Sequence, residues 1–166
     1  TFTAKFKAMY LNGEGIQVIH QPAAHTDGDS VVFFRRSDVV SAGDVFTPDR
    51  YPVIDLDRGG RVEGIIAALN RVLAITVPEN FQERGTYVIP GHGRLSDEAD
   101  VVEYRDMVVI IRDRVQNLIK KGSTLEQVKA AKPSRDYDGE YGAAGADRFV
   151  EAVYHSLAAR KSGGGK

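Results

Sequence analysis

Two of the four histidines stand among small and turn-forming residues: His25 in Ala23-Ala24-His25-Thr26-Asp27-Gly28-Asp29, and His92 in Pro90-Gly91-His92-Gly93. Between them, Asp44 closes the segment Ser41-Ala42-Gly43-Asp44. Imidazole nitrogen and carboxylate oxygen suit zinc first, with iron and manganese as alternatives. A glycine beside a ligand lets the backbone bend close to an ion without a side chain in the way. The chain has no cysteine, which excludes a disulfide scaffold, a cysteine–zinc site, an iron–sulfur centre and a cysteine nucleophile. Any metal here is held by histidine and carboxylate.

Neighbouring residues extend the candidate site. A metal-bound imidazole needs a partner for its second nitrogen, and Asp29 and Ser30 are candidates for orienting His25; an Asx turn at Asp29 competes with that role, and a turn is the stronger reading of Asp27. Phe46, Tyr51 and Arg94 follow the candidate ligands and could line a substrate pocket, against a core role for the aromatics and a surface role for the arginine. His20 reads as structural and His155 as solvated. Tyr137 and Tyr141, with Asp136 and Asp138, form a polar aromatic loop that either covers a site or packs at a helix junction.

The elements that must position these residues are legible as periodicities. Phe2, Ala4, Phe6 and Ala8 mark one face of a half-buried strand ending at the Asn12-Gly13 turn, and Ile16, Val18 and His20 share a face of the next. Ser30 to Arg35 contains Val31-Val32-Phe33-Phe34, expected to be buried on both faces. A short strand from Val39 to Ala42 follows. Close succession predicts antiparallel hairpins.

From Gly60 to Ala74 the apolar spacing changes to three and four, predicting a helix bearing Val62, Ile65, Ile66, Leu69, Val72 and Leu73. Thr86 to Ile89 is a strand leading straight into His92. Ser96 is the expected cap of a long helix with the stripe Val101, Tyr104, Val108, Ile111, Val115 and Leu118. Ser123-Thr124-Leu125-Glu126 reads as a capping box for a short helix stopping at Pro133. A last helix presents Phe149, Val150, Val153, Tyr154 and Leu157. The predicted organisation is one domain over residues 1–161 and a flexible glycine-rich tail over 162–166. Strands followed by helices imply an α/β (α+β) class, a mixed or antiparallel sheet with helices on one face.

The 166 residues carry 22 Lys+Arg against 23 Asp+Glu, and charges of both signs are spread along the chain. The footprint of nucleic-acid binding is missing, so neither DNA nor RNA is expected as a partner. The longest apolar runs are a few residues, so no bilayer-spanning segment and no membrane partner are expected. A soluble protein is expected; its compartment, cytoplasmic or, after processing, periplasmic or secreted, stays open.

Taken in order, His25-Thr26-Asp27-Gly28-Asp29-Ser30, Ser41-Ala42-Gly43-Asp44-Val45-Phe46 and Val88-Ile89-Pro90-Gly91-His92-Gly93 resemble the metallo-β-lactamase fold superfamily of hydrolases. The resemblance implies that His25, Asp44 and His92 are metal ligands, with Asp44 bridging two zinc-type ions and also acting in catalysis. It further implies hydrolysis of an ester, lactone, thioester or amide in a small-molecule substrate, by water whose pKa the ions lower. The family's His-x-His-x-Asp-His segment belongs upstream of His25, yet only 24 residues precede it and His20 is the only histidine among them. The resemblance therefore implies the C-terminal half of an αββα fold, with three ligands spread between two metal positions. The partner implied is the N-terminal half or a second copy of the chain in a homodimer. The alternative is a non-catalytic, homo-oligomeric binding or structural protein that recycles half of the fold.

Overall fold

Alternating residues build the first part of the molecule and helically spaced residues the second. The computed structural model describes residues 6–79 and 85–163, with the side chains of the last helix up to residue 158. Strands β1 (Phe6–Leu11), β2 (Glu14–Gln21), β3 (Asp29–Phe34) and β4 (Val39–Gly43) come first. They pair antiparallel in succession. β5 (Tyr87–Pro90) then adds to β4 in parallel, completing a five-stranded sheet of order β1-β2-β3-β4-β5. A parallel neighbour needs a crossover, and helix α1 (Val62–Leu73) lies within it. Helices α2 (Glu98–Lys120), α3 (Leu125–Ala130), α4 (Asp138–Tyr141) and α5 (Ala143–Gly163) follow. The class is the expected mixed α/β arrangement.

One face of the sheet carries the core. Val31, Val40, Ala42 and Val88 are fully buried in one cluster with Ile65, Leu69 and Val72 of α1, Val108 and Ile111 of α2, and Val153 of α5. Side chains alternate along a strand, so the register sends Met9, Val18, Val32, Val39, Tyr87 and Ile89 to the opposite face. None of these is buried. This corrects the expectation for Val31-Val32-Phe33-Phe34: Val31 is buried, whereas the other three are only half-buried; Val32 and Phe34 lie on the face the helices leave open, and Phe33, on the same face as Val31, packs only partly against the core. β1 likewise is exposed along its whole length instead of half-buried; Phe2 and Ala4 lie outside the described residues.

Several boundaries shift by a residue. The cap of α2 is Asp97, which accepts from the Asp100 amide at 3.0 Å while the Asp97 amide donates to the Asp100 carboxylate at 3.2 Å. Ser96, the expected cap, instead exchanges two backbone hydrogen bonds with Val88, at 2.8 and 3.0 Å. The box of α3 is formed by Thr124 and Gln127, one place beyond Ser123 and Glu126. Helix α5 continues through Gly163, so the first two residues assigned to the tail are helical; residues 164–166 lie outside the described residues.

Candidate metal centre

β2, β4 and β5 run in one direction, since β3 reverses between the first two and the last two are parallel. Their C-terminal ends therefore share one rim of the sheet. His25 follows β2, Asp44 follows β4 and His92 follows β5, and the rim brings all three together. The His25 Nε2 atom is 3.9 Å from Asp44 Oδ2. The His92 Nε2 atom is 3.4 Å from Asp44 Oδ1. Each carboxylate oxygen thus faces a different imidazole. The three side chains are 22%, 44% and 61% exposed for His25, Asp44 and His92, so the constellation opens to solvent on the His92 side.

His25 is oriented by a backbone group. Its Nδ1 lies 2.7 Å from the Val53 carbonyl oxygen, which can only accept, so Nδ1 carries the proton. In the neutral ring the lone pair is then on Nε2, the atom turned toward Asp44. A metal-ligating histidine is held in this way, with its outer nitrogen donating to a carbonyl or carboxylate. The expected orienting roles of Asp29 and Ser30 are corrected accordingly. Asp29 Oδ2 accepts from the Thr26 amide at 2.6 Å and closes the loop without touching the imidazole. Ser30 lies opposite His20 in the β2–β3 register. His20 Nε2 donates to the Asp27 carbonyl at 2.6 Å, tying the His25 loop to the sheet.

Glycines make the approaches possible. A Cβ at Gly91 would overlap the Asp44 carboxylate and the Gly43 backbone. Its amide donates to the carbonyls of Gly43, at 2.8 Å, and Phe46, at 3.2 Å, which fixes the start of the His92 loop. A Cβ at Gly60 would meet the His25 carbonyl, and one at Gly64 the Ala23 carbonyl. The start of α1 can therefore seat directly under the His25 loop, where the Arg61 amide donates to Ala23 at 2.9 Å.

Two of the expected pocket residues lie elsewhere. Phe46 is fully buried and packs edge-on against Tyr104. Tyr51 is 3% exposed, stacks on Phe149 and donates to Asp138 at 2.8 Å. Both are core residues and present no surface to a ligand. Burial and the Asp138 contact raise the Tyr51 pKa. Arg94 is exposed but forks onto Asp100 at 2.8 and 2.6 Å, which holds the Asp100 carboxyl below its ordinary range and raises the guanidinium. It borders a cleft of about 270 Å³ with Tyr87, Leu95 and Ser96 that none of the three candidate ligands lines. The segment expected as a polar aromatic loop is helical, a 3-10 turn over Arg135–Tyr137 followed by α4, and it packs at the helix junction, with Tyr141 buried against Tyr51 and Tyr104.

Two contributors escaped the sequence reading. Val53 acts through its carbonyl, which every residue type possesses. Asp49, whose carboxylate accepts from the Arg94 amide at 3.3 Å, sits in an ordinary Pro-Asp turn. Among the described residues, no group of three or more His, Asp or Glu forms a cage for one ion. The donors instead straddle Asp44, one imidazole to each side. Their chemistry and the His25 tautomer fit a divalent cation at either side, with two donors from this chain.

The fold is a metallo-β-lactamase fold. An inverting sec-alkylsulfatase, Pisa1 from a Pseudomonas species, is similar over 93% of this chain and 26% of its own, with a TM-score of 0.68 and 18% identity. A metallo-β-lactamase family protein from Thermus thermophilus is similar over 95% of this chain and 48% of its own, with a TM-score of 0.59 and 19% identity. The chain thus corresponds to part of each of these proteins, in keeping with half of the fold. Neither protein-family models nor curated protein sequences give a match.

Proposed function

We propose that this chain forms the C-terminal half of a metal-dependent hydrolase, with His25, Asp44 and His92 as its ligands for zinc-type divalent ions. The observation that carries the reading is the placement of Asp44, whose two oxygens face two different Nε2 atoms at 3.9 and 3.4 Å. That is the disposition of a carboxylate shared between two cation positions. Such ions supply Lewis acidity, acidifying a water nucleophile and polarising the bond to be cut. The chain's own residues fix the donors: the Val53 carbonyl sets the His25 tautomer, and the Gly91 contacts bring His92 to the Asp44 carboxylate. Zinc hydrolases hold an ion with three protein ligands and leave one position open. Each cation position has two donors from this chain, one imidazole and one Asp44 oxygen, and therefore calls for further donors, from an upstream half or a second copy. The substrate class is an ester, lactone, thioester or amide of a small molecule.

Native mass spectrometry of the chain with and without added zinc, repeated on His92→Ala, tests this. The expected result is zinc retained by the wild type and lost in the variant. A wild type that takes up no zinc, or uptake that His92→Ala leaves unchanged, overturns the reading. One observation favours the second reading, a homo-oligomeric binding protein: the sheet face opposite the helices is apolar and exposed at Met9, Leu11, Tyr87 and Ile89.

A further inference from the structure

The His92 side chain is 61% exposed, so little packing holds it, and its position depends on the backbone of the loop between β5 and α2. That loop is closed at its base by the paired Val88 and Ser96 backbones, at 2.8 and 3.0 Å. On the near side of His92, the Gly91 amide is tied to the carbonyls of Gly43 and Phe46. On the far side, the Arg94 amide is tied to Asp49 Oδ2 at 3.3 Å. The first two ties are backbone to backbone. The third is made by a side chain from the segment after Asp44, and it can be removed by one substitution.

Gly93 shows how closely Asp49 approaches the loop. Its φ is +106°, and a Cβ there would lie 2.5 Å from Asp49 Oδ2 and 3.2 Å from Pro48 Cγ. The Pro48-Asp49 turn therefore rests against a loop residue that lacks a side chain. Neither contact involves the imidazole, so Asp49 acts on His92 only through the loop backbone.

We propose that Asp49 is a positioning residue for His92: its carboxylate, by accepting from the Arg94 amide across a bare Gly93, fixes the loop so that Nε2 faces Asp44. The proposal rests on the metal-ligand reading of His92. An acceptor is what the clamp needs, and Asn supplies one at nearly the same place.

The test compares Asp49→Ala and Asp49→Asn in the 166-residue chain. Amide hydrogen exchange of Arg94 and the His92 ring resonances are followed by NMR without metal, and zinc affinity by calorimetry. In Asp49→Ala, the Arg94 amide is expected to exchange faster and the His92 resonances to shift. Zinc affinity is expected to fall roughly 10–100-fold, the usual cost of losing a group that orients a ligand. Asp49→Asn is expected to restore all three. Unchanged exchange in Asp49→Ala, or faster exchange with unchanged zinc affinity, overturns the proposal, as does an Asn variant that behaves like Ala. If the wild type takes up no zinc, the metal reading falls by itself, and the clamp is judged on Arg94 exchange and the His92 resonances.

Discussion

Asp44 is the centre of the site, and the residues around it bring two imidazoles to its one carboxylate. The glycine against the carboxylate itself is Gly91, which is absent from the positive-φ glycines; what it provides is space. Gly91→Ala would push a methyl group into the Asp44 carboxylate and the Gly43 backbone. Zinc uptake should fall at least about 10-fold, and stability should drop by about 1–3 kcal/mol, the usual cost of overpacking. Gly122→Ala is the control: its φ is +85° with nothing within 4 Å, so it should cost about 1–2 kcal/mol of backbone strain and leave zinc uptake intact. Calorimetric zinc titration beside thermal melts checks the pair. Equal zinc affinity in the Gly91 variant would mean that the loop does not need its close approach. His25, Asp44 and His92, which the sheet rim brings together, are legible through the order and context of their three motifs, since a lone histidine or a Gly-Asp pair reads equally as an ordinary turn residue. The Val53 carbonyl is not legible, since a backbone acceptor leaves no trace in residue type. Phe46 and Tyr51 were misplaced because an aromatic after a strand end packs inward as readily as it lines a cleft.

At the scale of elements, the site exists because three strands of one direction end on one rim, and because α1 can seat beneath the His25 loop through Gly60 and Gly64. Period-two and helical patterning foretold those strands and α1, but their ends were less legible. Whether Ser96 or Asp97 caps α2 is settled by the Val88–Ser96 bridge, a tertiary contact between segments that local patterning does not encode. The start of α2 is also joined to the His92 loop by Arg94 on Asp100, and this makes a pH-dependent prediction. The arginine depresses the Asp100 pKa from its ordinary value near 3.8. The ion pair's stabilisation is therefore complete above that value and is lost as pH falls through the lower folded-state value. Because Arg94 is 59% exposed, solvent screening limits the contribution to about 0.5–1 kcal/mol. Arg94→Ala should melt about 1–4 °C below the wild type at pH 7, and the two should converge as pH falls below the depressed Asp100 value. A gap that persists in acid would assign the effect to packing of the arginine stem.

For the whole molecule, the decisive contrast is between the two faces of the sheet, which a single step along β3 samples. Val31 is fully buried under the helices, whereas Val32, the next residue, lies on the face where Met9, Tyr87 and Ile89 are exposed. Composition and strand order made the α/β class readable. They could not show which face is covered, because Val31-Val32-Phe33-Phe34 is apolar at every position and carries no alternation. An exposed apolar sheet face drives association, and full burial of one such side chain is worth about 1.5–3 kcal/mol. The chain matches only 26% and 48% of the two proteins whose fold it shares, and a second copy offers the same apolar surface for a two-fold contact. Sedimentation velocity should show the wild type forming dimers as concentration rises. Val32→Lys should stay monomeric and melt within a few degrees of the wild type, because its new charge remains in water. Val31→Lys, one residue away, should fail to fold, since it buries an unpaired ammonium in the core cluster that Val31 shares with Val40, Ile65 and Leu69. A wild type that is monomeric at every concentration would rule out the second copy and leave the upstream half as the proposed source of the missing donors.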